Sequence, residues 1–212
     1  MSCCECACHD AQFSAKVAAG DLMRYRRKGP DKTTRLLLDA LTADGVQGMS
    51  ILDVGAGIGV VHHELLERGA RSAVHVDAAP AYVRAARDEA ERRGHAEQVS
   101  FLEGDFVALA PTVRPADVVT LDRVICCYAQ MEPLVETSAA RARRLYGAVF
   151  PRDTWLNRLA LALGNLLRRI RGSGFRTYLH APEAIDSVLR RQGLELRSSR
   201  DTLTWRVAVY GR

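Results

Sequence analysis

Ile51-Leu52-Asp53-Val54-Gly55-Ala56-Gly57-Ile58-Gly59 decides how the rest of the chain is read. An apolar run that breaks into closely spaced glycines is the pattern of a strand entering a tight turn, and Val60, Val61, Leu65 and Leu66 continue it with helical spacing. Strand, glycine turn and helix open an α/β unit in which backbone N–H groups can approach a ligand before the helix begins.

The same alternation extends in both directions. Upstream, Pro30 and Asp31 open a helix through Leu36, Leu37, Leu38 and Leu41, with Gly45 just beyond it. Strands are predicted at Met49 to Val54, Ser72 to Val76, Val99 to Leu102, Ala116 to Leu121 and Leu145 to Phe150, the later ones apolar enough to be buried on both faces of a parallel sheet. Helices are predicted at Ala81 to Arg93, Asp153 to Arg171 and Ala181 to Gln192, and two closing strands at Leu194 to Arg197 and Leu203 to Tyr210. Residues 1–30 divide off as a cysteine-bearing tip and a helix from about Ser14 to Arg27, ahead of a single domain over 31–212.

Composition narrows the function classes. With 48% hydrophobic and 26% charged residues, the 212-residue chain can bury a sizeable core, which excludes a disordered or fibrous protein. No apolar run reaches the ~20 residues of a membrane-spanning helix, and the Met1-Ser2-Cys3-Cys4 start lacks a signal-peptide layout, so a cytoplasmic protein without an integral membrane segment is expected. The net charge is +5, but all except three of the 30 basic residues are arginine and no basic run interleaves with aromatics, so nucleic acid is not expected as a partner.

Two acidic positions complete the glycine turn. Asp77 falls at the end of the second predicted strand, 22 residues after Gly55, where an α/β nucleotide site places a carboxylate against ribose hydroxyls, with Ala78 beside it. Gly104-Asp105-Phe106 follows the third strand and can flank an adenine, Asp105 accepting from the exocyclic amine and Phe106 covering the ring. A dinucleotide fingerprint starting at Gly55 needs glycine at position 60, and this chain has Val60, which weakens an NAD-dependent oxidoreductase reading.

Asp53-x-Gly55-x-Gly57-x-Gly59 with Asp77 and Asp105 resembles motifs I, II and III of the class I S-adenosylmethionine-dependent methyltransferases. The resemblance spans roughly residues 31–210. It implies a Rossmann-like, doubly wound, seven-stranded and mostly parallel sheet with an antiparallel C-terminal strand. It also implies S-adenosyl-L-methionine as cofactor, with the methionine moiety on Gly55, Gly57 and Gly59, the ribose on Asp77 and the adenine on Asp105 and Phe106. Asp53 would orient the loop or meet the cofactor's ammonium through water. Thr120 to Tyr128 differs from the Asn/Asp-Pro-Pro-Tyr signature of methyltransferases acting on amino groups of nucleobases or glutamine, which disfavours that subclass. Size, single domain and absence of a nucleic-acid module resemble small-molecule O-methyltransferases, including the magnesium-protoporphyrin type.

The acceptor side is read from topology. Ligands in open α/β sheets bind beyond the strands' carboxyl ends, so Asp122 to Tyr128 should face the transferred methyl, beside Phe150-Pro151 and Tyr178 to His180. The base candidates are His180, Tyr128 and Asp122, with Asp122 also a candidate cofactor contact; His180 is equally a cap for the helix after it. His62 could approach the cofactor, although a helix-surface position is expected for both His62 and His63. Tyr25 is a candidate cofactor cover, with Arg24 or Arg26 to pair a carboxylate.

Cys126 and Cys127 admit an alternative, thiol or trivalent arsenic methylation, because thiolates bind soft metalloids and a cysteine after the fourth strand is also a feature of arsenite methyltransferases. The Cys3, Cys4, Cys6, Cys8 and His9 cluster has spacings that close no comfortable zinc tetrahedron, so no organised metal site is expected. A regulatory protein that binds cofactor or metal without turnover is the remaining alternative. Over Asp153 to Arg171 the apolar face is wider than one sheet needs; it is read as a wall of the acceptor pocket, with a homodimer contact or a membrane surface as the other occupants.

Overall fold

The computed structural model describes residues 13–212. Its chain runs α1 (Ala15–Lys28), α2 (Lys32–Leu41), β1 (Ser50–Val54), α3 (Val60–Glu67), β2 (Ser72–Asp77), α4 (Pro80–Arg93), β3 (Val99–Glu103), α5 (Phe106–Leu109), β4 (Ala116–Asp122), α6 (Met131–Ala139), β5 (Ala142–Pro151), α7 (Trp155–Ile170), α8 (Pro182–Arg191), β6 (Glu195–Asp201) and β7 (Trp205–Gly211). The strand order is β3-β2-β1-β4-β5-β7-β6. The first five strands pair in parallel, and β7 runs antiparallel to both β5 and β6.

Local chemistry sets the boundaries. The Asp31 carboxylate caps α2 by accepting from the N–H groups of Thr33 and Thr34. Pro80 opens α4, and Gly94, in the left-handed region at φ +74°, closes it. Gly59 precedes α3 at φ +84°, a conformation that turns the chain from the β1 tip directly into the helix.

Strand alternation splits the core into two layers. Leu52 and Val54 face a cluster with Phe106 and with Ile185, Val188 and Leu189 of α8, whereas Ile51 faces Leu37, Leu38 and Leu41 of α2 and Val61 and Leu65 of α3. Burying these side chains contributes roughly 1.5–3 kcal/mol each. β3, expected to be covered on both faces, forms one edge of the sheet, and only Val99 along it is buried. At the other edge β6 is exposed throughout, and its Arg197, Arg200 and Asp201 keep that edge polar. No helix among the described residues is long and apolar enough to cross a membrane. The cysteine cluster at 3–8 lies outside the described residues.

Candidate active site

The strand order reverses between β1 and β4, and a cavity of about 420 Å³ opens beyond their carboxyl ends. Its floor is the Gly55 to Gly57 turn, with Asp77 and Ala78 along one side and Asp122 to Val124 at the opposite end. Helix α1 covers it, bringing Asp21, Arg24, Tyr25 and Lys28 to the wall, with Phe13 ahead of the helix. That helix is held on α4 by a small cluster of Ala18, Tyr25, Ile58, Ala79 and Tyr82. An ion pair adds to it: Arg26 reaches the buried Glu89 at 2.8 Å, where Arg92 and Arg93 also bind. Burial pushes Glu89 up, but the three guanidiniums outweigh it and hold the carboxyl well below its ordinary range. Arg26 is thereby committed to the fold and turned from the cavity. Arg24 pairs with Asp21 at 2.8 Å on the cavity wall.

The glycine turn works differently from its expected use. Gly55 and Ala56 donate to the Val76 carbonyl, and Gly57 donates to Asp77 Oδ2 at 2.8 Å, so these N–H groups are spent inside the turn. What the turn offers is bare surface. A Cβ on Gly55, at φ +61°, would stand 2.5 Å from Val124, so this glycine lets the β1 and β4 tips close together. Asp77 Oδ1 accepts from Ala79 N. The Asp77 carboxylate thus ties the turn to the end of β2 and lines the cavity beside it.

Beneath the turn Asp53 is buried. Thr120 Oγ1 donates to its Oδ1 at 2.7 Å, and His62 Nδ1 lies 2.9 Å from its Oδ2. Burial pushes Asp53 up to about 6, partly countered by the bond from Thr120. His62 and His63, expected on a helix surface, are fully buried, as is His75 on β2. The reason is Gly59: with no side chain there, the two imidazoles pack where its Cβ would stand, 2.6 Å from His62 and 3.0 Å from His63. Loss of water lowers all three, to about 3, 2 and 3, and leaves them neutral. His62 supports the turn from below and does not line the cavity.

At the far end Asp122 is fixed on both oxygens, accepting from Thr34 Oγ1 at 2.6 Å and from Arg123 Nε at 3.0 Å. Burial raises its pKa against the pull of Arg123. Arg123 also reaches Asp31 at 2.6 Å and sits at φ +64°, the one non-glycine residue with positive φ among those described. Such backbone costs free energy and persists where surroundings impose it, here three polar partners around one guanidinium. Asp31, raised by burial, is drawn down to about 2 by the Thr34 N–H and by Arg123. Sequence reasoning gave Asp31 and Thr34 no role in the site and placed Arg123 there only as part of Asp122 to Tyr128; an arginine 89 residues from Thr34 and 92 from Asp31 signals no such pairing.

Tyr128 lines the cavity and donates to Asp105 Oδ1 at 2.5 Å. Burial and that carboxylate push the phenol far up, so at neutral pH it donates and does not serve as a base. Asp105 is thus engaged by Tyr128 and stands behind the wall, whereas Phe106, buried, is part of it. His180 is not brought to the cavity and does not cap α8; its Nε2 donates to the Tyr128 carbonyl at 2.8 Å. Of the two cysteines only Cys127 reaches the wall, while Cys126 is buried with its Sγ 3.5 Å from the Arg123 carbonyl. No cluster of three metal-ligating side chains exists among the described residues. α7 does not form the acceptor wall expected of it: none of its residues lines the cavity, and its leucines other than Leu161 are exposed.

Residues 51–146 match the model of a methyltransferase domain family. Among curated proteins, the ribosomal protein L11 methyltransferase of Photobacterium profundum is 31% identical over 110 residues, 51% of this chain and 36% of that protein. That of Aeromonas hydrophila is 28% identical over 142 residues, covering 59% and 47%. The chain thus spans between a third and a half of the length of these relatives. Among solved structures, magnesium protoporphyrin IX methyltransferase from Synechocystis PCC 6803 with bound S-adenosylhomocysteine superposes with a TM-score of 0.74 at 21% identity, covering 98% of this chain and 99% of that one. An O-methyltransferase family protein from Burkholderia thailandensis gives 0.72 at 17% identity over 96% and 62%.

Proposed function

We propose that this chain, which belongs to the class I S-adenosylmethionine-dependent methyltransferases, transfers a methyl group to the oxygen or nitrogen of a small molecule. The observation that carries the acceptor class is the roof: α1 closes over the cavity through Tyr25 and Phe13, and a covered pocket of this kind suits a small ligand better than a folded protein. The residues present fit the cofactor. Asp77 sets a carboxylate on the cavity wall where ribose hydroxyls would donate, Phe106 supplies an apolar wall for a base, and the bare Gly55 to Gly57 surface admits a close approach. When bound, the cofactor supplies an electrophilic methyl on a cationic sulfonium.

The chain's own part is alignment and proton handling. α1 and Tyr82 shut the cavity from water on one side, with Tyr82 tied to Asp21 at 2.5 Å. Residues 13–29 act as a lid in this reading. Asp122, its pKa raised by burial, would take up the proton that the acceptor gives up, and Arg123 and Thr34 hold its carboxylate at this end of the cavity. His180 acts on this wall only by holding the Tyr128 carbonyl.

The test is release of S-adenosylhomocysteine from S-adenosylmethionine mixed with either a small-molecule or a protein fraction of a cell extract. Turnover with the small-molecule fraction is expected, and D122N should lower kcat by about 10²–10⁴ with cofactor affinity retained. Turnover confined to the protein fraction would assign the acceptor to the class named by the L11 relatives. A soft metalloid acceptor requires arsenite-dependent turnover that C127S abolishes.

A further inference from the structure

Helix α7 rests on the protein by the wrong side. Its inward residues are Asn157, Leu161, Gly164, Asn165 and Arg168, and only Asn157 is buried. Asn157 Nδ2 donates to the carbonyls of Arg152 and Thr204, and Asn165 Nδ2 to that of Thr177, so polar bonds seat the helix. The opposite face is a strip of Trp155, Leu159, Leu163, Leu166, Leu167 and Ile170, with Trp155 76% and Ile170 71% exposed. Contiguous apolar surface of this kind marks an interaction site.

Charge selects the occupant. Between Thr154 and His180 stand five arginines, Arg158, Arg168, Arg169, Arg171 and Arg176, and no aspartate or glutamate; Asp153, just ahead of the helix, pairs with Arg158 at 2.7 and 2.8 Å and leaves the other four as the net positive charge of this face. All of these except Arg168 are exposed, and Arg158 and Arg169 border the apolar strip. A second copy of the chain would set arginines against arginines across a two-fold axis. A membrane with anionic lipids answers both features: an apolar strip that enters the headgroup boundary, an indole suited to that depth, and arginines beside the phosphates.

We propose that α7 docks this protein on an anionic bilayer surface, lying in the interface plane without crossing it. The segment after α7 returns to the loop after β4, where Tyr178 N donates to the carbonyl of Cys126, the neighbour of the wall residue Cys127, at 2.7 Å. Docking stands independently of the methyl-transfer reading and is tested without turnover.

Full-length protein is floated with vesicles of phosphatidylcholine plus phosphatidylglycerol, and with phosphatidylcholine alone. The wild type is expected to float with the anionic vesicles and to be released by salt, with a blue shift of tryptophan emission that W155F removes. The neutralising substitutions R169Q and R171Q should weaken partition roughly fivefold per arginine. L163Q with L166Q should abolish flotation with the folded state intact, because neither side chain is buried. Absence of flotation in the wild type overturns the proposal. So does equal flotation of L163Q/L166Q, or a lipid-free dimer that L163Q/L166Q dissociates and that never binds vesicles.

Discussion

Helix α3 carries two adjacent histidines and buries both completely, whereas α7 carries a strip of large apolar side chains and turns it to solvent. Residue type alone orders these two helices the other way round. Connectivity accounts for the inversion. α3 joins the neighbouring parallel strands β1 and β2, so it must lie flat on the sheet, and whatever its inner face bears is taken inside. α7 follows β5 and hands over to α8 before the chain returns to the sheet, so no strand pairing presses it down. The histidines are accepted because Gly59 clears their space and Asp53 gives His62 a partner; the leucines are left out because Asn157 and Asn165 seat the helix instead.

The sharpest way to break this contrast is at Gly59. Alanine there combines a left-handed backbone with a Cβ driven against two imidazoles that cannot retreat, since both are fully buried. G59A should lower stability by about 3 kcal/mol, read as a reduced urea midpoint. A loss below about 1 kcal/mol would mean that the histidine layer gives way easily and that α3 is not pinned as described.

A smaller effect is expected from pH. In the unfolded chain His62, His63 and His75 take up protons below their ordinary value of 6.5, while in the folded chain burial delays this to about 3, 2 and 3. Their contribution is present above pH 6.5 and is lost as pH falls toward the folded values. Asp53 runs the other way: its folded value of about 6 exceeds the ordinary 3.8, so the folded chain gains its proton first and recovers part of the loss. The net change from pH 6.5 to about 5.5 is a loss on the order of 2 kcal/mol, measured as urea midpoints at constant m. A flat profile would place the imidazoles within reach of water.

The smallest effect belongs to α7. Exchanging Leu163 for glutamine should move stability by less than about 0.5 kcal/mol, because no packing is removed. A loss of 2 kcal/mol or more, the amount expected of a core leucine, would return α7 to the interior.

Fold was legible in the sequence to the extent that backbone and period decide it. The β1 strand, the glycine turn and the positions of Asp77 and Asp122 at strand ends follow from an alternation that only a parallel sheet satisfies. What the sequence does not carry is pairing at long range. Asp122 with Thr34, Arg26 with Glu89 and Tyr128 with Asp105 join residues 23 to 88 positions apart, and each pair decides whether a candidate reaches the cavity. His180 shows the cost: its helix-start position suggests a cap or a base, and only the fold places the Tyr128 carbonyl within its reach.

The central claim is that the cavity at the β1 and β4 tips binds the cofactor through Asp77. Calorimetric titration of the wild type and D77A with S-adenosylhomocysteine tests it most directly. Because Asp77 also accepts from Gly57 and Ala79, the urea midpoint of D77A is measured alongside, so that a loosened turn is recognised. The account predicts a wild type that binds and a D77A protein that is folded and weaker by about 1–3 kcal/mol. A folded D77A that binds as tightly as the wild type, or a wild type with no affinity, would contradict it.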